Sequence, residues 1–195
     1  MRTYKAEGII IKRFNVGEAD RILTVFSKYD GKFSILAKGI RRIPSRRSAH
    51  VELLNHSLLT LYQGKSMPIL TEATSLENFE EVKDDFTKVG FAYHLCELIN
   101  GLCPEGQEHR DIFDLLHKTL GRLSHCHSEF FDSVQDDSKE MSLLEIIHEF
   151  EIELLTILGY WKKDNPISHT LNTTAFIEDI LERRLKSRSI FLKLK

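Results

Sequence analysis

Hydrophobic and polar residues alternate in short runs through the first 78 residues of the chain. Asp30-Gly31 lies between two of these runs and is a strong signal for a hairpin turn. Five short strands of this kind favour a small OB-type β-barrel, and a five-stranded sheet packed on one helix is the alternative. The predicted strands are KAEGIIIKRF, RILTVFS, KFSILAK, LLNHSLLTLYQG and PILTEATSL.

From residue 79 onward the hydrophobic spacing changes to three and four residues, the period of an amphipathic helix. The third predicted helix is apolar on most faces and should be the most buried, and the last should be capped by Asn172 or Thr173. We therefore predict an α+β chain with two domains, an OB-type barrel over residues 1–78 and an α-helical bundle over residues 79–195. The predicted helices lie in FTKVGFAYHLCELINGLC, DIFDLLHKTLGRL, MSLLEIIHEFEIELLTILGY and NTTAFIEDILERRLKS.

The composition, the cysteines and the N-terminal residues indicate which class of protein this is. A hydrophobic fraction of 42% and a charged fraction of 29% are typical of a folded globular chain. The three cysteines form no CxxC pair, so we expect reduced thiols. The N-terminal apolar run is only Ile9–Ile11, which is too short for a signal peptide or a membrane span. These features predict a cytoplasmic protein without a membrane partner.

Charge divides the chain into two unlike halves. Residues 1–80 hold 13 lysines and arginines against 8 acidic residues, so their net charge is +5. Residues 81–195 hold 14 against 21, so their net charge is -7 and the whole chain reaches -2. Such asymmetry suggests that the N-terminal half meets a polyanion.

No catalytic or metal-binding motif stands out in the sequence. The tripeptide GKS at residues 64–66 resembles the end of a phosphate-binding loop, but that motif needs glycine where Leu59 stands, so a hairpin turn is predicted. His125 and His127 cannot both face one ion if they lie on a helix, and no second ligand pair is near in sequence. We predict a binding protein with no catalytic residue, no metal and no cofactor, and not an enzyme.

The positive charge is concentrated in the connection between the third and fourth strands. No acidic residue lies between Asp30 and Glu52. A solvated surface is the usual explanation for a charge run, but arginine suits phosphate contacts, and loops of small barrels are where oligonucleotides bind. The candidate phosphate contacts are Lys38, Arg41, Arg42, Arg46 and Arg47, extended on the strands by Arg13 and Arg21.

Four aromatic side chains near this segment are candidates for stacking on bases: Phe14, Phe26, Tyr29 and Phe33. We expect each of these side chains to be buried in the barrel core, and base contact is the alternative.

Several stretches resemble, in chain order, the signature segments of the bacterial recombination mediator family RecO. They are GIIIKRFNVGEADRILTVFSKYDG, AKGIRRIPSRRS, FEIELLTILGY and RRLKSRSIF. The most specific parts are Gly17-Glu18 before a strand and Lys38-Gly39 followed by arginines and Ser45. Gly17 and Gly39 are interpreted as turn positions. The resemblance implies an N-terminal OB fold, a helical C-terminal domain, and DNA contact by the basic residues named above.

The resemblance also implies a function and partners. The function is DNA repair: binding single- and double-stranded DNA, annealing complementary strands, and helping RecR, and in some members RecF, to load RecA onto DNA covered by single-strand-binding protein. A nucleoid-associated location in the cytoplasm would follow. Some family members carry a four-cysteine zinc site after the LLxxLGY helix, but WKKDNPISHTLNTTAF contains no cysteine, so no zinc is predicted here.

The helical half is predicted to meet protein partners. Residues 81–153 hold 6 basic and 17 acidic residues, a net charge of -11 that would repel DNA. In related proteins this domain receives the acidic C-terminal tail of single-strand-binding protein, which needs a cationic pocket. The candidate partner contacts are Arg183, Arg184 and Arg188, and a basic helix end that complements its own dipole is the alternative.

Two other functions remain open at this point. An RNA-binding OB-fold adaptor would use the same phosphate contacts, because such contacts alone do not separate RNA from DNA. A protein-interaction scaffold would use the basic segment to bind an acidic partner. Comparing the binding of DNA and RNA of one sequence separates the DNA repair protein from the RNA-binding adaptor. Strand annealing by the purified chain excludes the scaffold.

Overall fold

A computed structural model describes residues 3–43, 45–126, 142–161 and 173–187. The strands are β1 (Thr3–Val16), β2 (Asp20–Ser27), β3 (Gly31–Ala37), β4 (His56–Tyr62) and β5 (Ile69–Glu77). The helices are α1 (Glu80–Lys83), α2 (Phe86–Leu102), α3 (Arg110–His125), α4 (Leu143–Ile157) and α5 (Thr173–Leu181), and a single 3-10 turn spans Ala49–Val51.

The chain forms two compact units, and each is described by itself. The first comprises Met1–Phe79 together with Leu98–Phe113, and we call it the barrel unit. The second comprises Glu80–Glu97 together with Asp114–Lys195, and we call it the helical unit. The division of the chain into domains at residues 78 and 79 stays a prediction.

The five strands close into a barrel in the order β1-β2-β3-β5-β4, which confirms the predicted OB-type fold. All neighbours are antiparallel except β3 and β5, which share the single parallel pair Leu36↔Ile69. The long strand β1 pairs with β4 through its first half and with β2 through its second half. A register shift between Ile10 and Lys12 gives β1 the bend that this double role requires.

Alternate residues of the strands point into one hydrophobic core. The register places apolar side chains from all five strands inward, as the period-two pattern requires. Ile40 and Val51, from the basic connection, are also fully buried, so both ends of that connection are anchored in the core. The core consists of Ala6, Ile10, Leu23, Val25, Ile35, Ala37, Ile40, Val51, Leu59, Leu61 and Leu70.

The segment Leu98–Phe113, where α2 ends and α3 begins, packs on the outside of the barrel. The ring of Phe113 lies 6.3 Å from that of Phe26, centroid to centroid. The buried Lys32 donates from Nζ to the carbonyl oxygen of Asn100 at 2.5 Å, and its own carbonyl oxygen accepts the Gly106 amide at 2.8 Å. These contacts give two strands of the barrel a covered outer face.

The helical unit differs from the prediction in which helix is most buried. Helix α4 begins with a capping box, in which Ser142 Oγ accepts the amide of Glu145 and the Glu145 carboxylate accepts the amide of Ser142. It buries one face only, and Leu144 is exposed. Among the described helices, the part of α2 in this unit is buried on more sides, through Phe91, Ala92, His94, Leu95 and Cys96.

The last helix is shorter than predicted. Helix α5 begins at Thr173 and ends at Leu181, whereas the prediction extended it to residue 187. Glu182 has a φ of 52°, a left-handed conformation that stops the helix, and the chain continues as an irregular segment. The alternative capping residue, Asn172, lies outside the described residues.

A buried polar network joins that segment to the helices of its unit. His94 contacts Ser187 Oγ through Nδ1 at 2.7 Å and a Glu151 carboxylate oxygen through Nε2 at 2.8 Å. The other oxygen of Glu151 accepts the hydroxyl of Thr173. All four residues are buried, so their polar atoms need these partners to offset the loss of water.

The three cysteines are free thiols, as predicted. Burial raises the pKa of Cys96 to about 12 and that of Cys103 to about 11, with the Lys32 charge lowering the latter in part. Such thiols are poor nucleophiles at neutral pH. None of the helices in the described ranges is long and apolar enough to cross a membrane.

Candidate nucleic-acid interface

The basic connection between β3 and β4 is ordered by its own backbone. The amide of Arg42 donates to the Gly39 carbonyl at 3.2 Å, and the amide of Ser45 donates to the Arg42 carbonyl at 2.9 Å. Gly39 has a φ of 63°, so the predicted turn role of this glycine is confirmed. Its amide donates to Asp20 Oδ1 at 2.7 Å, which fixes the start of the connection to the start of β2.

Arg47 is partly exposed, but its guanidinium is engaged by backbone carbonyls of the barrel unit. One terminal nitrogen of its guanidinium donates to the carbonyl oxygen of Leu70 at 2.8 Å, and the other donates to that of Lys38 at 3.0 Å. Lys38 follows β3 and Leu70 belongs to β5, so the side chain spans the two strands that share a single residue pair. Both terminal nitrogens of Arg47 thereby donate to backbone carbonyls.

Three more of the predicted contacts also have partners. Arg41 donates to the Gly17 carbonyl at 3.3 Å, which ties the connection to the turn between β1 and β2. Arg13 and Arg21 both contact the carboxylate of Glu52, Arg21 at 3.4 Å. Glu52 therefore offsets much of the positive charge that these two arginines bring to the surface.

Lys38, Arg42 and Arg46 remain uncompensated. Within residues 3–43 and 45–126, their side chains have no hydrogen-bond or ion-pair partner, and all three are exposed. They line one open depression of about 600 Å³, together with Asp20, Gly39, Ser45 and Arg47. Four of the seven predicted phosphate contacts thus line one space, and three of these four are without a partner among the residues named above, whereas Arg47 and the other three predicted contacts are engaged within the barrel unit.

The aromatic candidates divide into two pairs. Phe26 is fully buried and Phe33 packs against the core, as expected. The expectation of burial is wrong for Phe14, which is 66% exposed, and for Tyr29, which is 49% exposed. Phe14 lies on the part of β1 that pairs only with β2, so no strand of the barrel covers its side chain there. The guanidinium carbon of Arg110 lies 4.8 Å from the centroid of the Tyr29 ring, a cation–π contact.

The remaining sequence candidates are distributed elsewhere. Arg183 forms an ion pair with Glu97 at 3.0 Å, Arg184 is exposed, and Arg188 lies outside the described residues. His125 ends α3, while His127 lies outside the described residues. The GKS tripeptide lies in the connection from β4 to β5, as the hairpin prediction required.

Sequence reasoning missed the residues that shape the depression. Asp20 was not singled out, although its bond to the Gly39 amide fixes the connection. Glu52 marked only the end of the basic interval, although it partners two arginines. Neither role has a signal in the local sequence, because the partners lie 19 to 39 residues away.

The closed five-stranded barrel and its cationic connection define an OB-fold protein with one strongly basic surface. Two family profiles match the chain: "Recombination protein O N terminal" over residues 1–79 and "Recombination protein O C terminal" over residues 83–161. The chain belongs to the RecO family of DNA repair proteins.

Curated relatives agree with this assignment. The chain is 36% identical over 160 residues to the DNA repair protein RecO of Acetivibrio thermocellus, covering 82% of this chain and 59% of that protein. It is 37% identical over 159 residues to the DNA repair protein RecO of Roseiflexus sp., covering 82% of this chain and 51% of that protein. The chain therefore spans about half to three-fifths of the length of these relatives.

Proposed function

We propose that the barrel unit binds the phosphate backbone of DNA through Lys38, Arg42 and Arg46. The observation that carries this proposal is the gathering of three uncompensated cations around one depression of the OB barrel. Asp20 is the one acidic residue among those lining the depression, and the Gly39 amide already occupies one of its oxygens. Phosphate oxygens supply the anions that these side chains lack, and guanidinium groups match them in geometry.

Backbone contacts of this kind favour strand annealing. A strand held by its phosphates keeps its base edges free for pairing, and its neutralised charge repels a second strand less. No nucleotide hydrolysis or metal is needed for such a step. We therefore propose that the chain binds single- and double-stranded DNA, anneals complementary strands, and acts as a binding protein rather than an enzyme.

A salt series tests the contact set. Fluorescence anisotropy would be measured with a labelled single strand for the wild type, Arg42→Ala/Arg46→Ala, and the control Lys5→Ala/Lys65→Ala. The control removes two exposed lysines of the same unit and so matches the change in net charge. Each lost phosphate contact should flatten the slope of log K against log salt by about 0.7, so the double variant should lose about 1.4.

The result can contradict the proposal in two ways. An unchanged slope for Arg42→Ala/Arg46→Ala would place the strand elsewhere. An equal loss in the Lys5→Ala/Lys65→Ala control would mean that net charge alone attracts the DNA, with no defined site. A duplex and an RNA strand of the same sequence serve as further arms. Stronger binding of RNA would favour the RNA adaptor instead.

The proposed partners follow from family membership and are tested separately. We propose RecR as a direct partner, RecF as a partner that some family members use, and RecA as an indirect one through loading. The acidic tail of single-strand-binding protein would bind the helical unit, with Arg184 as the exposed candidate because Arg183 already pairs with Glu97. Arg184→Glu should weaken binding of a labelled tail peptide, and unchanged affinity would remove this residue from the contact.

A further inference from the structure

Ile43 is the most exposed of the large hydrophobic residues in the described part of the chain. Its side chain is 103% exposed, so it contacts almost nothing in the free protein. It follows Arg42, whose carbonyl accepts the Ser45 amide at 2.9 Å. An isolated hydrophobic residue on a surface is ordinary. The surroundings of Ile43 are not, because uncompensated cations lie on both sides of it in the chain.

The chemistry around Ile43 defines what would cover it. Arg42 precedes it and Arg46 follows three residues later, and both line the cationic depression. A ligand must therefore offer an apolar surface with anions close on both sides. Stacked bases flanked by phosphates have this composition, because the faces of the bases are apolar and each nucleotide carries a negative charge.

The residues just before Ile43 are held in place before any ligand arrives. The Arg41 amide donates to the Ala19 carbonyl at 3.0 Å, and the Arg42 amide donates to the Gly39 carbonyl. The buried Ile40 anchors the chain just before the turn. A side chain that inserts into a stack gains from this support, because less conformational freedom is lost on binding.

We propose that Ile43 is an apolar wedge that inserts between two adjacent bases of the nucleic acid held by Lys38, Arg42 and Arg46. This proposal rests on the proposed function, since the cations must hold the backbone on either side. Apolar residues on DNA-binding proteins separate base steps in this manner and unstack them. The ligand is a stacked base step, either in a single strand or in a duplex.

The test uses 2-aminopurine, a base analogue whose fluorescence is quenched by stacking and rises when the step is opened. Oligonucleotides carrying the analogue, one set single-stranded and one set in a duplex, would be titrated with the wild type. We expect a fluorescence rise that saturates with binding in at least one set. The set that responds shows whether the opened base step lies in a single strand or in a duplex. Ile43→Ala should lose the rise, whereas Ile43→Leu, with similar volume, should retain it.

Matched controls separate the wedge from binding itself. Because Ile43 is fully exposed, Ile43→Ala should keep the melting temperature of the wild type and its salt slope. Leu76→Ala, which truncates another exposed hydrophobic residue of the barrel unit, should leave the fluorescence rise unchanged.

Three outcomes would overturn the proposal. Binding by the wild type without a rise in either set would exclude a wedge. A full rise with Ile43→Ala would assign the unstacking to another residue. Absence of binding would overturn the proposed function and the wedge together, whereas the first two outcomes leave the proposed function intact.

Discussion

Replacing Arg47 by alanine should destabilise the barrel rather than remove a phosphate contact. The strands β3 and β5 share one residue pair, Leu36↔Ile69, so this seam has fewer backbone hydrogen bonds than any other strand pair in the barrel. Arg47 donates across the seam to the carbonyls of Lys38 at 3.0 Å and Leu70 at 2.8 Å. A third contact, to Thr71 at 3.4 Å, is too long to add much.

The magnitude follows from the two shorter bonds. A hydrogen bond from a charged donor contributes about 1.5–3 kcal/mol, and the partial exposure of Arg47 places these two at the low end. We therefore expect Arg47→Ala to lower the free energy of unfolding of the barrel unit by about 2–3 kcal/mol. Arg47→Lys keeps the charge but not the planar group that reaches two carbonyls, so it should recover only part of this loss.

Hydrogen exchange and a salt series together test this reasoning. The amide of Leu36 donates to the Pro68 carbonyl at 2.9 Å across the seam, so its exchange should accelerate in Arg47→Ala. Arg46→Ala is the matched control, because this neighbouring arginine has no partner among the described residues. The control should keep the stability and flatten the salt slope for a single strand by about 0.7. If Arg47→Ala instead flattened the slope and left Leu36 exchange unchanged, Arg47 would be a phosphate contact.

Three further predictions concern other parts of the chain. Ser142→Ala removes the N-cap of α4 and should cost about 1 kcal/mol, measured by urea unfolding followed through Trp161 fluorescence. Gly31→Ala should prevent normal folding of the barrel unit, because the added Cβ would lie 2.0 Å from the Gln107 carbonyl oxygen and φ is 68°; an unchanged circular dichroism melt would contradict this. Partial burial raises the pKa of Glu97. The amides of Lys186 and Ser187 and the Arg183 guanidinium donate hydrogen bonds to its carboxylate, and together they lower the pKa below its ordinary value of 4.5. This contribution to stability is present above that value and is lost as the pH falls further, so Glu97→Gln should reduce the acid dependence of unfolding.

Sequence periodicity was sufficient for the elements whose signals are local. The five strands are predicted from short local runs, such as the β-branched residues of KAEGIIIKRF and the alternation of RILTVFS, and Asp30-Gly31 correctly marks the hairpin between β2 and β3. The end of α5 was not predicted, since ERRLKS continues a helical pattern. Glu182 nevertheless turns into a left-handed conformation. The segment that follows is held by Glu97 of helix α2, whose carboxylate accepts hydrogen bonds from the amides of Lys186 and Ser187.

The packing of Leu98–Phe113 on the barrel was also beyond the sequence pattern. Periodicity shows which face of a helix is apolar but not which neighbour covers it. Lys32 illustrates this point, because a lysine in a strand is expected at the surface, whereas here burial lowers its pKa and Asn100 accepts its ammonium. The same limit explains why the sequence does not separate Arg46 from Arg47, since the carbonyls of Lys38 and the distant Leu70 distinguish them.

The basic connection combines two roles that a charge count cannot separate. Lys32 in β3 and the five basic residues of the connection have no acidic residue between them, and their mutual repulsion opposes the folded loop. The barrel offsets it with backbone carbonyls for Arg41 and Arg47, and Lys32 is drawn into the interior. The charges that stay without partners are Lys38, Arg42 and Arg46, and they converge on one depression. Arg41 and Arg47 hold the backbone of this connection in place. This favours the proposed phosphate contact, because cations on a fixed backbone lose less freedom on binding than cations on a mobile one.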